Sequence, residues 1–175
     1  MDFRGVTEFL KDSLKYIIVA AVVFLIFIFV AGLQQVIGPS MNPTLTEGNV
    51  LIVNKLIYRI SDIDRNDIVV LSHDEKYMVK RVVGLPGEHV EYKDNYVYVN
   101  GEKFKESFID TDKVHTNDFS ISDWGYDVIP DGYYLVLGDN RENSMDSRDY
   151  GLVPKKDIKG KAWLRFWPIS EFKLF

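Results

Sequence analysis

Hydrophobic and polar positions divide the chain into two unequal parts. Residues 16–33 (YIIVAAVVFLIFIFVAGL) form an 18-residue run without a charge, and at about 1.5 Å per residue such a run reaches about 27 Å as a helix. That length just crosses a bilayer. A cleaved signal peptide is one alternative, but its apolar stretch is roughly 7–15 residues and ends in a small-x-small site. Here Phe29 and Ala31 would precede Gly32, and Phe29 is too large. A buried soluble helix is the other alternative, and so long a run with no polar face speaks against it. The pattern therefore predicts a transmembrane helix over 16–33, with a short N-terminus over 1–15 and a body over 34–175.

Beyond residue 34 the spacing changes to short apolar runs separated by Gly, Asn, Asp and Pro, the punctuation of antiparallel β structure. Strands are predicted over 50–54, 67–71, 77–83, 89–92, 96–99, 133–137 and 161–166. Asp94-Asn95 and Asn100-Gly101 read as hairpin turns. Residues 102–130 lack a sustained period, carry many Ser, Thr and Asp, and read as a looped insertion. The expected fold class is mainly β: antiparallel sheets in a compact body preceded by one N-terminal transmembrane helix. The apolar stretches 56–60 and 166–169 can face a membrane, with core packing the equal or better reading.

Charge orients the span and removes several functions. Basic residues are retained on the cytoplasmic side; Arg4, Lys11 and Lys15 precede the run, and the next is Lys55. Residues 1–15 are thus expected in the cytoplasm and the body outside it. Asp2, Glu8 and Asp12 offset those cations numerically but count little in this rule. Lys plus Arg is 21 and Asp plus Glu is 26, a net charge of -5, which gives no support to a nucleic-acid partner. Without cysteine, covalent catalysis has to use oxygen or nitrogen. His73, His89 and His115 match no metal-ligand spacing, so neither metal nor cofactor is expected.

Three polar segments carry candidate chemistry. In Gly38-Pro39-Ser40-Met41-Asn42-Pro43-Thr44-Leu45, two prolines hold Ser40 on a stiff, non-helical backbone; an ordinary membrane-exit linker has the same composition. In the second, over 77–87, strand alternation puts Lys80 beside Met78 and Val82 and Arg81 beside Val79 and Val83, so one cation has to lie among apolar neighbours. Desolvation there lowers a lysine pKa toward that of a neutral base, unless the side chain snorkels to water. In the third, over 137–151, Asp146 and Arg148 are placed for a bidentate pair, leaving Ser144 free to orient an amine. A polar surface loop accounts for each of these residues singly.

Taken in order, GPSMNPTL, KRVVGLPGE and LGDNRENSMDSRDYG after an N-terminal span resemble the type I signal peptidase family, membrane serine proteases that remove signal peptides from exported proteins. The similarity covers nearly the whole chain past residue 16, and the short bacterial members of Gram-positive type are the most similar. The resemblance implies that Ser40 is the nucleophile and Lys80 the general base, a Ser/Lys dyad without histidine. It implies further that Ser144 orients the lysine, that Asp146 and Arg148 stiffen the loop with Gly138 and Asp139 in support, and that Arg81 is structural. Exported preproteins and the lipid bilayer are the implied partners, and a monomer is expected. Small residues, usually Ala, are implied one and three places before the cut. Some members carry Ser where this chain has Gly38, leaving more of the oxyanion stabilisation to the Ser40 N–H. Many short members also lack that Ser.

Other readings are weaker. A self-cleaving Ser/Lys repressor-type protease shares the dyad but not the anchor. A penicillin-binding enzyme needs SxxK, and Pro43 stands three places after Ser40. A silent membrane protein that binds exported peptides has no need of both Ser40 and Lys80.

Overall fold

In the computed structural model, which describes residues 3–111, 114 and 116–175, the apolar run lies within a helix, α1 (Phe3–Val30). Its stretch Lys11–Val30 is long and apolar enough to cross a membrane, and the rest of the molecule buries none of it. The helix stops three residues short of the predicted 16–33 span. Ala31, Gly32 and Leu33 instead begin an edge strand, β1 (Ala31–Gln35), which pairs antiparallel with β2 (Val50–Asn54) from Ala31 opposite Asn54 to Gln35 opposite Val50. The Lys55 N–H donates to the Val30 carbonyl at 2.9 Å and ties the helix end to that pairing. Apolar composition alone does not distinguish the last turn of a span from a strand that packs on a sheet.

The strands that follow are β3 (Ile68–His73), β4 (Lys76–Gly84), β5 (Val90–Lys93), β6 (Tyr96–Val99), β7 (Glu102–Phe104), β8 (Phe119–Ser120), β9 (Tyr133–Leu137), β10 (Val153–Pro154), β11 (Ile158–Trp167) and β12 (Lys173–Leu174). One sheet runs β1-β2-β11-β3-β4-β9-β10 with β12 on β11; a smaller one runs β7-β6-β5-β8. The pairings are antiparallel, as the turn chemistry predicts. The two hairpin turns form where expected, with positive φ at Asp94, Asn95, Asn100 and Gly101. The predicted insertion over 102–130 is only partly loop. It supplies β7, β8 and a 3-10 turn over Ile121–Trp124, short pieces that complete the smaller sheet and leave no window long enough for a period to register. Two further helices are single turns, α2 (Ile57–Ile60) and α3 (Ser147–Tyr150).

Strand β3 shows where the core sits. Ile68 and Val70 join Met41, Leu45, Leu51 and Val79 on one side, while Val69 and Leu71 join Val82, Val136 and Ile158 on the other. Both faces are covered, which explains a continuous apolar run where a half-exposed strand alternates. Each such aliphatic side chain contributes about 1.5–3 kcal/mol on full burial. A third cluster, including Val83, Tyr92, Ile121 and Leu135, glues the smaller sheet to the larger. Core packing does not account for 166–169: Phe166, Trp167 and Ile169 are exposed, as are Trp163, Phe172, Leu174 and, from 56–60, Ile60.

Candidate active site

The chain leaves β1 and turns sharply through 38–45. Gly38 takes a left-handed φ of 77° with open space where a Cβ would stand, a conformation costly for other residues. Met41 and Leu45 are fully buried, and the Leu45 N–H donates to the Met41 carbonyl at 2.8 Å. These two anchors fix the backbone on one side of Ser40. The other side is held from the 138–151 loop: the Asn140 N–H donates to the Ser40 carbonyl at 3.1 Å, and Asn140 Nδ2 to the Pro39 carbonyl at 3.2 Å. Nothing local in the sequence marks Asn140 for this role, since its partners lie about a hundred residues away.

Lys80 and Arg81 are both buried, at 3% and 6% exposure. The expectation that one cation lies among apolar neighbours is thus met twice, with different outcomes. Arg81 makes a bidentate pair with Asp139, Nε to Oδ1 at 2.8 Å and Nη2 to Oδ2 at 2.7 Å. It also donates to the Asn66 carbonyl at 2.9 Å and lies 3.8 Å from the Phe108 ring centroid. Among the described residues, the hydrogen bond found for Lys80 Nζ is to Ser144 Oγ at 3.0 Å. Burial lowers its pKa from 10.5 to about 8, with the nearby Asp146 charge opposing the shift. The shift brings the neutral amine within reach near neutral pH.

The loop that presents Ser144 is braced through Asp146. Arg148 Nε and Nη2 donate to its two carboxylate oxygens, each at 2.8 Å, as predicted, and the Gly138 N–H donates to Oδ2 at 2.9 Å. Burial acts to raise the Asp146 pKa, but the Arg148 hydrogen bonds and charge, with the Gly138 amide and the Ser144 hydroxyl, hold it below the usual range. Asp146 also caps α3 in a reciprocal arrangement with Asp149, whose carboxylate accepts the Asp146 N–H at 2.9 Å. Ser147 Oγ accepts the Val136 N–H at 3.0 Å, so two residues without an assigned role, Ser147 and Asp149, hold the loop. A Cβ at Gly138 would collide with the Ser144 side chain and the Ser40 carbonyl. That glycine lets the Ser40 turn and the Ser144 loop close on each other.

A second buried pair was not foreseen: Arg141 donates to Glu106 from both terminal nitrogens, with both side chains about 1% exposed. It locks the loop to the segment after β7. Of the histidines, His73 stacks on Tyr150 and His89 bonds the Asp127 carbonyl and Glu91; His115 lies outside the described residues.

These elements converge on a small cleft of about 160 Å³, lined by residues 34–37, Ser40, residues 77–80 and Met145. The two residues expected to form a dyad share it. Among the described residues, one wall is β1, which pairs with β2 alone; the other is the start of β4, where β9 pairs with Arg81, Val82 and Gly84 but not with 76–80. Two unpaired strand edges thus border one slot. Beyond Ser144 a wider cleft of about 760 Å³ opens, lined by 116–119, Arg141, Glu142, Arg148 and Asp149.

Known proteins are similar to this chain in sequence and fold. The family described as Signal peptidase, peptidase S26, matches residues 8–167. Signal peptidase IB of Staphylococcus aureus is 41% identical over 180 residues, covering 93% of this chain and 94% of its own length. Signal peptidase I P of Bacillus subtilis subsp. natto is 41% identical over 169 residues, covering 93% and 91%. The crystal structure of a signal peptidase I from Enterococcus faecalis V583 superposes with a TM-score of 0.54 at 34% identity, over 58% of this chain and 97% of that one.

Proposed function

The chain belongs to the signal peptidase family, peptidase S26, and is a serine endopeptidase that removes signal peptides from preproteins; from that premise we propose that Ser40 and Lys80 carry the reaction. Neutral Lys80 takes the Ser40 hydroxyl proton, the oxygen attacks the scissile carbonyl, and an acyl-enzyme forms. The lysine returns the proton to the leaving amine and then activates the water that releases the acyl group. The Ser40 N–H supports the oxyanion. Ser144 aims the amine, and Asp146, Arg148, Gly138 and Asp139 hold Ser144 in place. The observation that carries this reading is a buried amine with a hydroxyl partner, 3.0 Å away, lining one cleft with a second serine.

The slot between β1 and β4 takes the substrate as an added strand, since main-chain groups on both edges are free to pair with it. Val36, Ile37, Met78 and Val79 limit the space beside Ser40, which favours small side chains before the cut. The wider cleft receives the leaving chain. Residues 16–30 of α1 anchor the protein, with 1–15 in the cytoplasm and the body outside, and the short run from Val30 to Ser40 keeps the nucleophile within about 33 Å of the bilayer boundary at about 3.3 Å per extended residue. Trp163, Phe166, Trp167 and Ile169, exposed and aromatic-rich, rest at the lipid interface. Both dyad residues come from one chain, which acts as a monomer.

Incubation of a preprotein with the purified protein should give signal peptide and mature chain. Ser40→Ala and Lys80→Ala should give neither, and normal processing by either variant removes the dyad. Trp one residue before the cut should abolish cleavage; efficient cleavage of that substrate contradicts the assigned cleft.

A further inference from the structure

The strongest unassigned feature lies where the body meets the end of α1. A cleft of about 490 Å³ there is lined by Lys55, Arg59 and Lys159 with Leu33 and Tyr77, and no acidic residue lines it. None of the three cations has an acidic partner among the described residues, although the whole chain carries a net charge of -5. All three are exposed to solvent. Their convergence is what marks them: three cations line one concavity that no acid lines.

Position identifies the ligand. Leu33 is three residues beyond Val30, the end of the candidate span, and the Lys55 N–H bonds the Val30 carbonyl directly. The Lys55 side chain lies against Gly32, where an added Cβ would meet its Cε and Nζ, so the ammonium stands at the exit of the span. Leu33, Tyr77 and the neighbouring Ile60 are 73%, 63% and 86% exposed. They place apolar surface beside the cations, matching the boundary between a phospholipid headgroup and its acyl chains. We propose that this cleft binds the phosphate headgroup of an anionic phospholipid and seats the body on the membrane with its slot facing the surface. The cleft shares Gln34 and Tyr77 with the substrate slot, so an occupied headgroup site fixes the height at which that slot meets the bilayer. The inference rests on α1 being the anchor.

The test uses the full-length protein in mixed micelles, titrated with phosphatidylglycerol or phosphatidylcholine and read by native mass spectrometry for retained lipid. Phosphatidylglycerol should be retained in preference. Lys55→Gln/Arg59→Gln/Lys159→Gln should weaken that retention on the order of 100-fold, at about fivefold per cation near a lipid surface. A control with equal charge change on the smaller sheet, Lys93→Gln/Lys103→Gln/Lys105→Gln, should leave it unchanged. Equal loss in both triple variants, or none in either, overturns the proposal. Glycerol phosphate added in millimolar amounts distinguishes the source: if it displaces the lipid, the cleft is a general phosphate site rather than one fitted to the membrane.

In vesicles of phosphatidylcholine with and without phosphatidylglycerol, preprotein cleavage by the wild type should rise several-fold with the anionic lipid. The Lys55/Arg59/Lys159 variant should lose that rise and keep its activity in neutral vesicles. A raised KM of the same variant for a short peptide substrate in lipid-free detergent would assign the cleft to the substrate upstream of the cut and overturn the lipid reading. Lipid retention needs no proteolysis, and carbonate extraction reports the anchor, so failure of the dyad, of the anchor and of this site are separable.

Discussion

Lys80 and Arg81 are neighbours on β4, equally buried, and opposite in consequence. Arg81 is matched by Asp139 in a fork geometry with further acceptors around it, so the cost of removing its charge from water is offset. Lys80 faces a hydroxyl instead, the offset is missing, and its proton is held loosely, with a pKa of about 8. The difference separates structure from chemistry within one dipeptide. A pleated strand points consecutive residues to opposite sides, so one element can carry a cation that holds the fold and, beside it, the lysine proposed as base.

The largest effect that can break this comparison is on turnover. Lys80→Met keeps the length of the side chain and removes the proposed base, and cleavage of a preprotein should fall by about 10³-fold or more. In the wild type, turnover should rise roughly tenfold per pH unit below 8 and flatten above it, because only the neutral amine accepts a proton. A pH-independent rate across 6–8 would contradict the assignment of Lys80.

The second effect is on stability and has opposite signs at the two positions. Arg81→Met leaves the Asp139 carboxylate buried and unpaired and should cost about 3–5 kcal/mol in a denaturant titration. Lys80→Met should stabilise. The folded pKa of Lys80, about 8, lies below its ordinary 10.5, so between those values the unfolded chain binds the extra proton and stability rises with pH. Below about 8 the full penalty is present, about 3 kcal/mol, and the variant should recover most of it at pH 7 and little of it above 10.5. A destabilised Lys80→Met at pH 7 would show that its charge is accommodated after all.

The comparison also shows what the sequence makes legible. Hairpin turns at Asp94-Asn95 and Asn100-Gly101 and the strands between them are local features, and β2, β6 and β9 fall where their apolar runs predict. Strand β1 does not, because its first three residues are as apolar as the helix before them and its pairing with β2 depends on residues twenty positions away. The proposed dyad came from motif resemblance, and the Asp146-Arg148 pair beside Ser144 from residue types and spacing. The ion pairs that separate Arg81 from Lys80 did not, since Asp139 is 58 residues from Arg81 and Glu106 is 35 from Arg141. Alternation alone made the two cations equivalent until a partner was assigned.

A smaller effect sharpens the role of the hydroxyl. Ser144→Ala removes the acceptor that aims Lys80 Nζ without touching Ser40, and a misdirected amine should reduce kcat by about 10²-fold with KM little changed. Ser144→Thr, which keeps a hydroxyl, should recover part of the rate. Loss in KM alone would place Ser144 in substrate binding instead.

The smallest effect is the most discriminating. Arg81→Lys keeps a cation opposite Asp139 but replaces a planar fork with a point charge, so one of two parallel hydrogen bonds is lost. Stability should fall by about 1–2 kcal/mol, while kcat/KM should stay within a few-fold, because the new ammonium remains paired and charged. In the Lys80→Met background the same substitution should restore no activity, although it places a lysine one residue from the original base. Recovery there would mean that any buried lysine on β4 can serve. Its absence means that what the side chain faces decides its role: a carboxylate that pairs its charge, or a hydroxyl that leaves it without a counter-ion.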